Sequence, residues 1–242
     1  MLFGIQWSAY AGVLLHGVLT TLEFTVSGFL CAAGVGFLVA VARVSPIWPL
    51  RRLAEAYTEL LKNVPMLTVM FVIYFGLGES HIKLSSFEAG TISLAASYGA
   101  YLSEIFRAAL QGVSRHQREA AQAIGLGRLD TLRYVVIPQA ARLALPGTGT
   151  MLVDLLKATS LLITIGGNEL MTQAQLIASD TFRPLPVYVV IGLIYFVLCF
   201  PLSRLVLRLE HALQAGTPLT PARRQLFRTV RRKMGAFSTI GG

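Results

Sequence analysis

The stretch PVYVVIGLIYFVLCFPLSRLVL, residues 186 to 207, is apolar on nearly every face of a helix. A helix that is apolar all round belongs in a buried core or in a membrane, and roughly 20 such residues are what a helix needs to cross the hydrocarbon layer. In lipid every backbone N–H and C=O must be satisfied within the protein, so only helices and closed barrels span. A barrel strand alternates apolar and polar residues; this run does not. The sequence predicts an all-α integral membrane protein.

Composition agrees: 54% of the residues are apolar or aromatic and 14% charged, too few charges for the surface of an ordinary soluble domain. The pattern predicts about five transmembrane helices. The first runs from Ala11 to Ala42, uncharged from Phe24 to Val41, with Glu23 read as a helix-end or interface residue. The second is read as one helix from Ala54 to Leu77, its first turns (Glu55, Glu59, Lys62, Asn63) at the interface and Phe71, Tyr74 and Phe75 as packing aromatics. The third, Phe87 to Ala109, carries Ser93, Ser97, Tyr98, Ser103 and Glu104, which places it inside the bundle rather than against lipid. The fourth, Tyr134 to Leu156, contains Pro138 and Pro146, expected to bend or interrupt it because proline lacks the N–H donor and clashes with the preceding turn. The fifth is Val187 to Leu207.

Residues 10–209 thus form a transmembrane domain, with 113–128 outside the membrane and 210–242 a basic tail suited to solvent or anionic headgroups. The opening MLFGIQWSAYAGVLL has no basic n-region or small-residue cleavage site, so the first helix is expected to remain in the mature protein. Arg43, Arg51, Arg52, Arg107, Arg115, Arg118, Arg128, Arg133, Arg204 and Arg208 collect on one side, while Lys83, Lys157 and Arg183 lie near the other. The positive-inside rule makes the first side cytoplasmic, with the N-terminus outside and the C-terminus inside. The net charge of +9 therefore follows topology and gives no reason to expect nucleic acid.

Cys31 and Cys199 sit in apolar runs and read as buried thiols. His16, His81, His116 and His211 are scattered, with no metal-ligand spacing, and no phosphate-binding glycine loop with its Lys-Ser/Thr is present. No catalytic residue, metal site or cofactor is expected on this chain.

The segment VSRHQREAAQAIGLG, 113 to 127, is the polar exception. Ser114 is a candidate cap, Arg118 and Glu119 are expected to face outward, and Val113, His116, Ala120, Ala123 and Ile124 approximate a weak apolar stripe. Gly125 and Gly127 supply a stop, since glycine takes the positive φ that helix ends often need. An interfacial helix and a peg for a socket in another protein fit this pattern equally.

Glu119-Ala120-Ala121 followed by Gly125, with Ile137-Pro138 downstream, resembles the EAA loop of bacterial ABC importer permeases. AYTELLKNVPMLTVMFVIYFGL (56–77), AASYGAYLSEIFRAALQGV (95–113), YVVIPQAARLALPGTGTML (134–152) and LLKATSLLITIGGNEL (155–170) resemble, in the same order, the polar amino acid permeases of the histidine, glutamine and arginine type. The resemblance implies a type I ABC importer permease fold in the bacterial inner membrane. It implies that Glu119, Ala120, Ala121 and Gly125 form a coupling helix that enters a cleft of an ATP-binding subunit, which holds the ATP and Mg. Its further implied partners are a second ATP-binding subunit, an extracytoplasmic solute-binding protein, and an identical or similar permease. Departures stand at Lys62-Asn63-Val64-Pro65, Val69, Pro146-Gly147-Thr148-Gly149-Thr150 and Lys157-Ala158-Thr159-Ser160-Leu161, and leave the substrate open.

Further candidates follow from the residues. Glu104 and Arg107, one turn apart, are placed to pair on a helix in a structural or gating role. Arg142 and Asp154, polar groups within a span, are expected to face the bundle interior, along a solute path or a subunit contact. Lys157, Thr159 and Ser160 are candidates for loop anchoring or outer-face contact. The rival readings are a membrane anchoring or assembly protein, which has no need of the 119–127 segment, and a secondary carrier, which usually shows an internal repeat across more spans.

Overall fold

The computed structural model describes residues 5–79 and 81–215. The predicted tail at 210–242 lies outside the described residues except for its first turns, which continue the last helix. In order, α1 (Trp7–Val44), α2 (Trp48–Asn63), α3 (Met66–Phe71), a π-helical turn (Val72–Gly76) and α4 (Leu77–Glu79) precede α5 (Ser86–Gly112). Then come α6 (Arg115–Ala123), α7 (Arg128–Asp130), a second π-helical turn (Thr131–Val136), α8 (Ile137–Ala158), a 3-10 helix (Thr159–Ile165), α9 (Leu170–Thr181) and α10 (Pro184–Ala215).

The bundle is built on α1 against α5. The buried face of α1 is Gly17, Thr21, Phe24, Thr25, Gly28, Ala32, Gly36 and Ala40. That is a nearly continuous i, i+4 row of small residues broken by one aromatic, the pattern that lets membrane helices approach at backbone distance. A methyl group added at Gly36 would come within 2.8 Å of Leu102 Cβ and 3.0 Å of the Gly99 carbonyl; one at Gly28 would meet Leu94 Cβ at 3.0 Å. The opposite face, with Leu15, Leu19, Val26, Leu30 and Leu38, is exposed. Glu23, expected near a helix end, sits well inside α1 on its exposed side, because the helix is 38 residues long and extends several turns beyond it on either side.

Helix α5 is less apolar because it is the bundle's interior. Ser93 and Ser103 are fully buried and donate to the carbonyls of Ala89 (2.6 Å) and Ala100 (2.7 Å). Ser103 also meets the Thr58 hydroxyl of α2 at 3.2 Å, and the Tyr57 hydroxyl donates to the Ala96 carbonyl at 2.7 Å. The helix opens on a capping box: Ser85 Oγ accepts from the Glu88 N–H at 3.2 Å and the Ser85 N–H donates to Glu88 Oε2 at 2.8 Å.

The structure departs from the expectations above in three further places. The second span is not one helix: α2 meets the α3–α4 segment at 109°. Pro65 has no N–H to continue the ladder and pushes Val64 into an extended conformation (φ −95°, ψ 131°), so α2 turns aside. Pro138 and Pro146, by contrast, interrupt nothing. Helical structure is continuous from Arg128 to Ile165: Pro138 stands in the first turn of α8 just past the wider π turn, and the helix runs through Pro146. Cys31 is exposed, since it faces away from the small-residue row, while Cys199 is buried as expected. Beyond α8 the chain continues as the 3-10 helix, ends it at Gly166 (φ 72°) and enters α9.

Among the described residues, α1, the Arg128–Ile165 run and α10 are long and apolar enough to cross a membrane, and the bent α2–α4 pair makes a fourth crossing if counted as one. Helix α5 has 27 residues, roughly 40 Å at 1.5 Å per residue, and gives up hydropathy to its buried serines.

Gly36→Leu is expected to lower the unfolding midpoint of the purified protein by overpacking, about 1–3 kcal/mol. Gly34→Leu, two positions away with nothing within 4 Å of the added carbon, is expected to leave it unchanged. Thermal unfolding followed by circular dichroism distinguishes the two.

Candidate functional site

The polar segment leaves the bundle at Val113, where the backbone turns extended (φ −71°, ψ 123°). Ser114 is the cap position of α6, although its side chain makes no capping bond. The far end closes as a Schellman motif: the Leu126 N–H donates to the Ala121 carbonyl (3.1 Å), the Gly125 N–H to the Gln122 carbonyl (3.0 Å), and Gly125 takes φ 89°. That conformation strains any side chain, and the space around Gly125 is open.

Glu119, Ala120 and Gly125 all lie exposed, while Ala121 is turned inward and 5% exposed. Glu119 is held on the surface of α6 by Arg115 Nε at 2.7 Å. The expected apolar stripe is not the buried one. Of its members only Val113 is buried, and Ile124 is 80% exposed, as is neighbouring Leu129 at 75%. Arg118, expected to point outward, instead reaches back and donates to the Leu110 carbonyl of α5. The reason is geometric: the last carbonyls of α5 have no following turn of helix to donate to them, and the long Arg118 side chain reaches the one at Leu110 from α6. The segment therefore shows small and apolar groups outward while Ala121 and Arg118 fasten it from behind.

Beside it, Glu104 pairs with Arg107 as its spacing predicts and also with Arg43, the last basic residue of α1. Arg107 donates further to Gln111 Oε1 at 2.8 Å. One carboxylate thus ties the ends of α1 and α5 at the base of the segment.

The remaining candidates are not gathered at this place. Arg142 is exposed on α8, and Asp154 is half-exposed and pairs with Lys157 at 3.4 Å, so neither faces the interior of this bundle. Thr159 is fully buried and donates to the Leu156 carbonyl at 2.8 Å. Lys157 and Ser160 line a cavity of about 290 Å³ with Tyr188, Ile191 and Tyr195.

A buried hub has no counterpart among the expected residues. Glu169, fully buried at the start of α9, accepts from the Thr172 N–H at 2.9 Å and from the Tyr195 hydroxyl of α10 at 2.7 Å. The Leu170 N–H next to it donates to Thr21 Oγ1 of α1 at 3.1 Å. A carboxylate at a helix start is a sequence signal for capping; nothing local announces Tyr195, 26 residues away.

The geometry is that of a helical membrane bundle with a fastened, outward-facing helix at one end. The family described as binding-protein-dependent transport system inner membrane component matches residues 32–214. The chain belongs to this family. Among its relatives, the probable glutamine ABC transporter permease protein GlnM of Bacillus subtilis is 35% identical over 209 residues, 86% of this chain and 95% of that one. The nopaline transport system permease protein NocQ of Agrobacterium fabrum is 34% identical over 221 residues, 85% of this chain and 94% of that one. The crystal structure of an amino acid ABC transporter with histidines has a chain that matches with TM-score 0.81 at 32% identity, covering 88% of this permease and 99% of that chain. The permease is accordingly an inner-membrane component, and its family implies an ATP-binding partner and a substrate-binding protein.

Glu104→Gln leaves Arg43 and Arg107 short of their shared counter-charge and is expected to destabilise the permease by on the order of 2 kcal/mol, charged hydrogen bonds at a half-exposed site being worth about that. Adding Arg43→Gln is expected to recover part of the loss, because deleting both partners costs less than orphaning one. A double-mutant cycle on unfolding midpoints measures it.

Proposed function

We propose that this permease forms the translocation path of an ATP-driven importer of polar amino acids or amino-acid derivatives and couples it to ATP hydrolysis through α6. The observation that carries the reading is the build of 113–128: a helix tied to α5 through Arg118, packed against the π-helical turn before α8 with Ala121 buried, closed at Gly125, with Glu119, Ala120 and Ile124 outward. An interfacial helix lying in headgroups needs no such fastening; a helix that transmits displacement does.

In this reading the chain crosses the membrane five times, α2–α4 and α5 included, with the N-terminus outside and α6 cytoplasmic. Each complex holds two copies of the ATP-binding subunit, which alone bind ATP and Mg and hydrolyse it; this chain is not an enzyme. A solute-binding protein docks outside, and a second permease, identical or similar, covers the faces of α8 and α10 that this chain leaves open, Arg142 and Asp154 with them. Only 17% of the apolar window of α10 is buried within one chain, which supports such a neighbour or lipid there. Closure of the ATP-binding subunits moves the two α6 helices and tilts the bundles; solute shifts the balance of outward and inward states by its differential affinity for them. The names of the relatives, glutamine for one and nopaline for another, support the substrate class rather than one member of it.

The test is uptake and ATPase activity of the reconstituted complex with Gly125→Asp and Glu119→Lys. The first places a side chain at φ 89°, the second a cation beside Arg115. Both are expected to insert normally, to lose co-purifying ATP-binding subunit and to cut uptake by a factor of about ten or more, the 1.4 kcal/mol that one lost coupling contact represents. Unchanged uptake with intact association in both variants sinks the coupling role. Competition by glutamine, histidine, arginine and an opine ranks the substrates.

A further inference from the structure

At the end of the bundle that carries α6 lies a cavity of about 680 Å³ lined by Arg43 of α1, Arg51 and Arg52 of α2, Arg107 of α5 and Arg118 of α6. Two carboxylates answer these five guanidinium groups. Glu55, in the cavity wall, lies 3.3 Å from Arg52 and 3.9 Å from Arg51, and Glu104 is held between Arg43 and Arg107. Three positive charges are left in excess. The side chain of Arg43 is only 10% exposed, and its Nε, with those of Arg107 and Arg118, is buried without a hydrogen-bond partner among the described residues. Buried guanidinium groups with spare donors are costly unless an anion accepts from them, and planar guanidinium forks fit the oxygens of a phosphate in particular.

The cavity does not end in polar surface. It shares Phe37, Leu110 and Ile137 with an adjoining groove of about 240 Å³, continued by Phe106, Ala141 and Leu145. A basic pocket opening into an apolar channel matches a molecule with a phosphate at one end and hydrocarbon at the other. Depth agrees: Arg43 directly follows the uncharged run of α1 from Phe24, the position at which a span meets the headgroups.

We propose that this cavity binds the phosphate of an anionic phospholipid, with an acyl chain along the Phe37–Leu145 groove. The phosphate chemistry is shared with free inorganic phosphate; the groove selects the lipid. Bound there, the headgroup bridges α1, α2, α5 and α6 and holds α6, through Arg118, to the ends of the helices it adjoins. Lipid composition thereby acts on the position of α6. The site is independent of which solute, if any, the bundle carries.

The experiment is native mass spectrometry of the full purified complex, released from nanodiscs of equal phosphatidylglycerol and phosphatidylcholine. Wild type is expected to retain phosphatidylglycerol selectively. Arg51→Gln with Arg52→Gln, both on the more exposed part of the rim, is expected to lower that retention roughly tenfold, since each arginine near a headgroup contributes appreciably to anionic-lipid affinity. Arg51→Lys with Arg52→Lys is expected to restore most of it. Ala141→Phe, which fills the groove, is expected to reduce lipid retention while leaving protection of the complex by inorganic phosphate against thermal unfolding intact. Equal retention of the two lipids, or retention unaffected by the glutamine pair, overturns the site. Displacement of the lipid by phosphate with no effect of Ala141→Phe overturns the lipid in favour of a free anion. Bound lipid is counted by mass and not by transport, so failure of the importer reading leaves this result readable.

Discussion

Close approach of α1 and α5 is the constraint on which the other elements depend. Inside a bilayer, apolar side chains gain nothing by leaving lipid for protein, so helices must be held by dispersion at short range and by hydrogen bonds. The row Gly28, Ala32, Gly36 and Ala40 supplies the first, and Leu94 and Leu102 of α5 sit against it. With α5 placed on α1, its other side is free to take α2 through Tyr57 and Thr58, and α8 through Ala109, Leu110, Ala140 and Ala144. Phe24, the one large residue of the row, closes the gap where Leu162 of the 3-10 helix and Leu155 of α8 come in.

Polar contacts then fix the two ends. Toward one end, Glu169 draws α9 and Tyr195 of α10 together while Thr21 holds the start of α9 to α1. Toward the other, Glu104 joins α1 to α5. Each carboxylate is shared by groups from different helices, so removing any one partner leaves a charge or donor unsatisfied in surroundings poor in water. Between them, the contact of α1 with α5 is made by small residues, with Ser93 bonded to its own helix at Ala89, while Tyr57 and Thr58 bond α2 to α5.

How far this was legible in the sequence depended on the range of the interaction. Of the spans announced by long uncharged runs, α1 is found within four residues of both expected ends, and α10 within three of its expected start, although it continues from Leu207 to Ala215. The pairing of Glu104 with Arg107, one turn apart, follows from helical spacing; that of Asp154 with Lys157 has the same spacing but was not read from it. The stop at Gly125 follows from glycine chemistry. What depended on distant partners was not visible: Arg43 on Glu104 spans 61 positions and Tyr195 on Glu169 spans 26. The prolines show the same limit in a subtler form. Pro65 breaks its helix and Pro146 does not, although both stand in apolar helical sequence; the following contacts of α8 with α5 and α10, where Gly149 meets Val206, keep the second helix in line. Arg118 was misplaced because an arginine beside a glutamate on a short polar helix reads as solvated, and only the free carbonyl at Leu110 turns it inward.

The fastening of α6 is asymmetric, and the asymmetry bears on how movement enters the bundle. On its N-terminal side one extended residue pair, Val113 and Ser114, separates α6 from α5, and Arg118 bridges that joint to Leu110. On its C-terminal side the chain passes through Gly125, Gly127 and α7 into a π-helical turn before α8 begins. A π turn carries weaker, wider hydrogen bonding than the α-helix it joins and is often placed where a helix must yield. In the proposed coupling role, displacement of α6 passes to α5 through the short Val113–Ser114 joint and the Arg118 bond, and to α8 through the π-helical turn against which α6 packs. Helix α5 packs over its length on α1, so on that proposal motion arriving by the first route acts on the α1–α5 pair together, and motion arriving by the second acts on α8, which is how one short helix would tilt two parts of the bundle against each other.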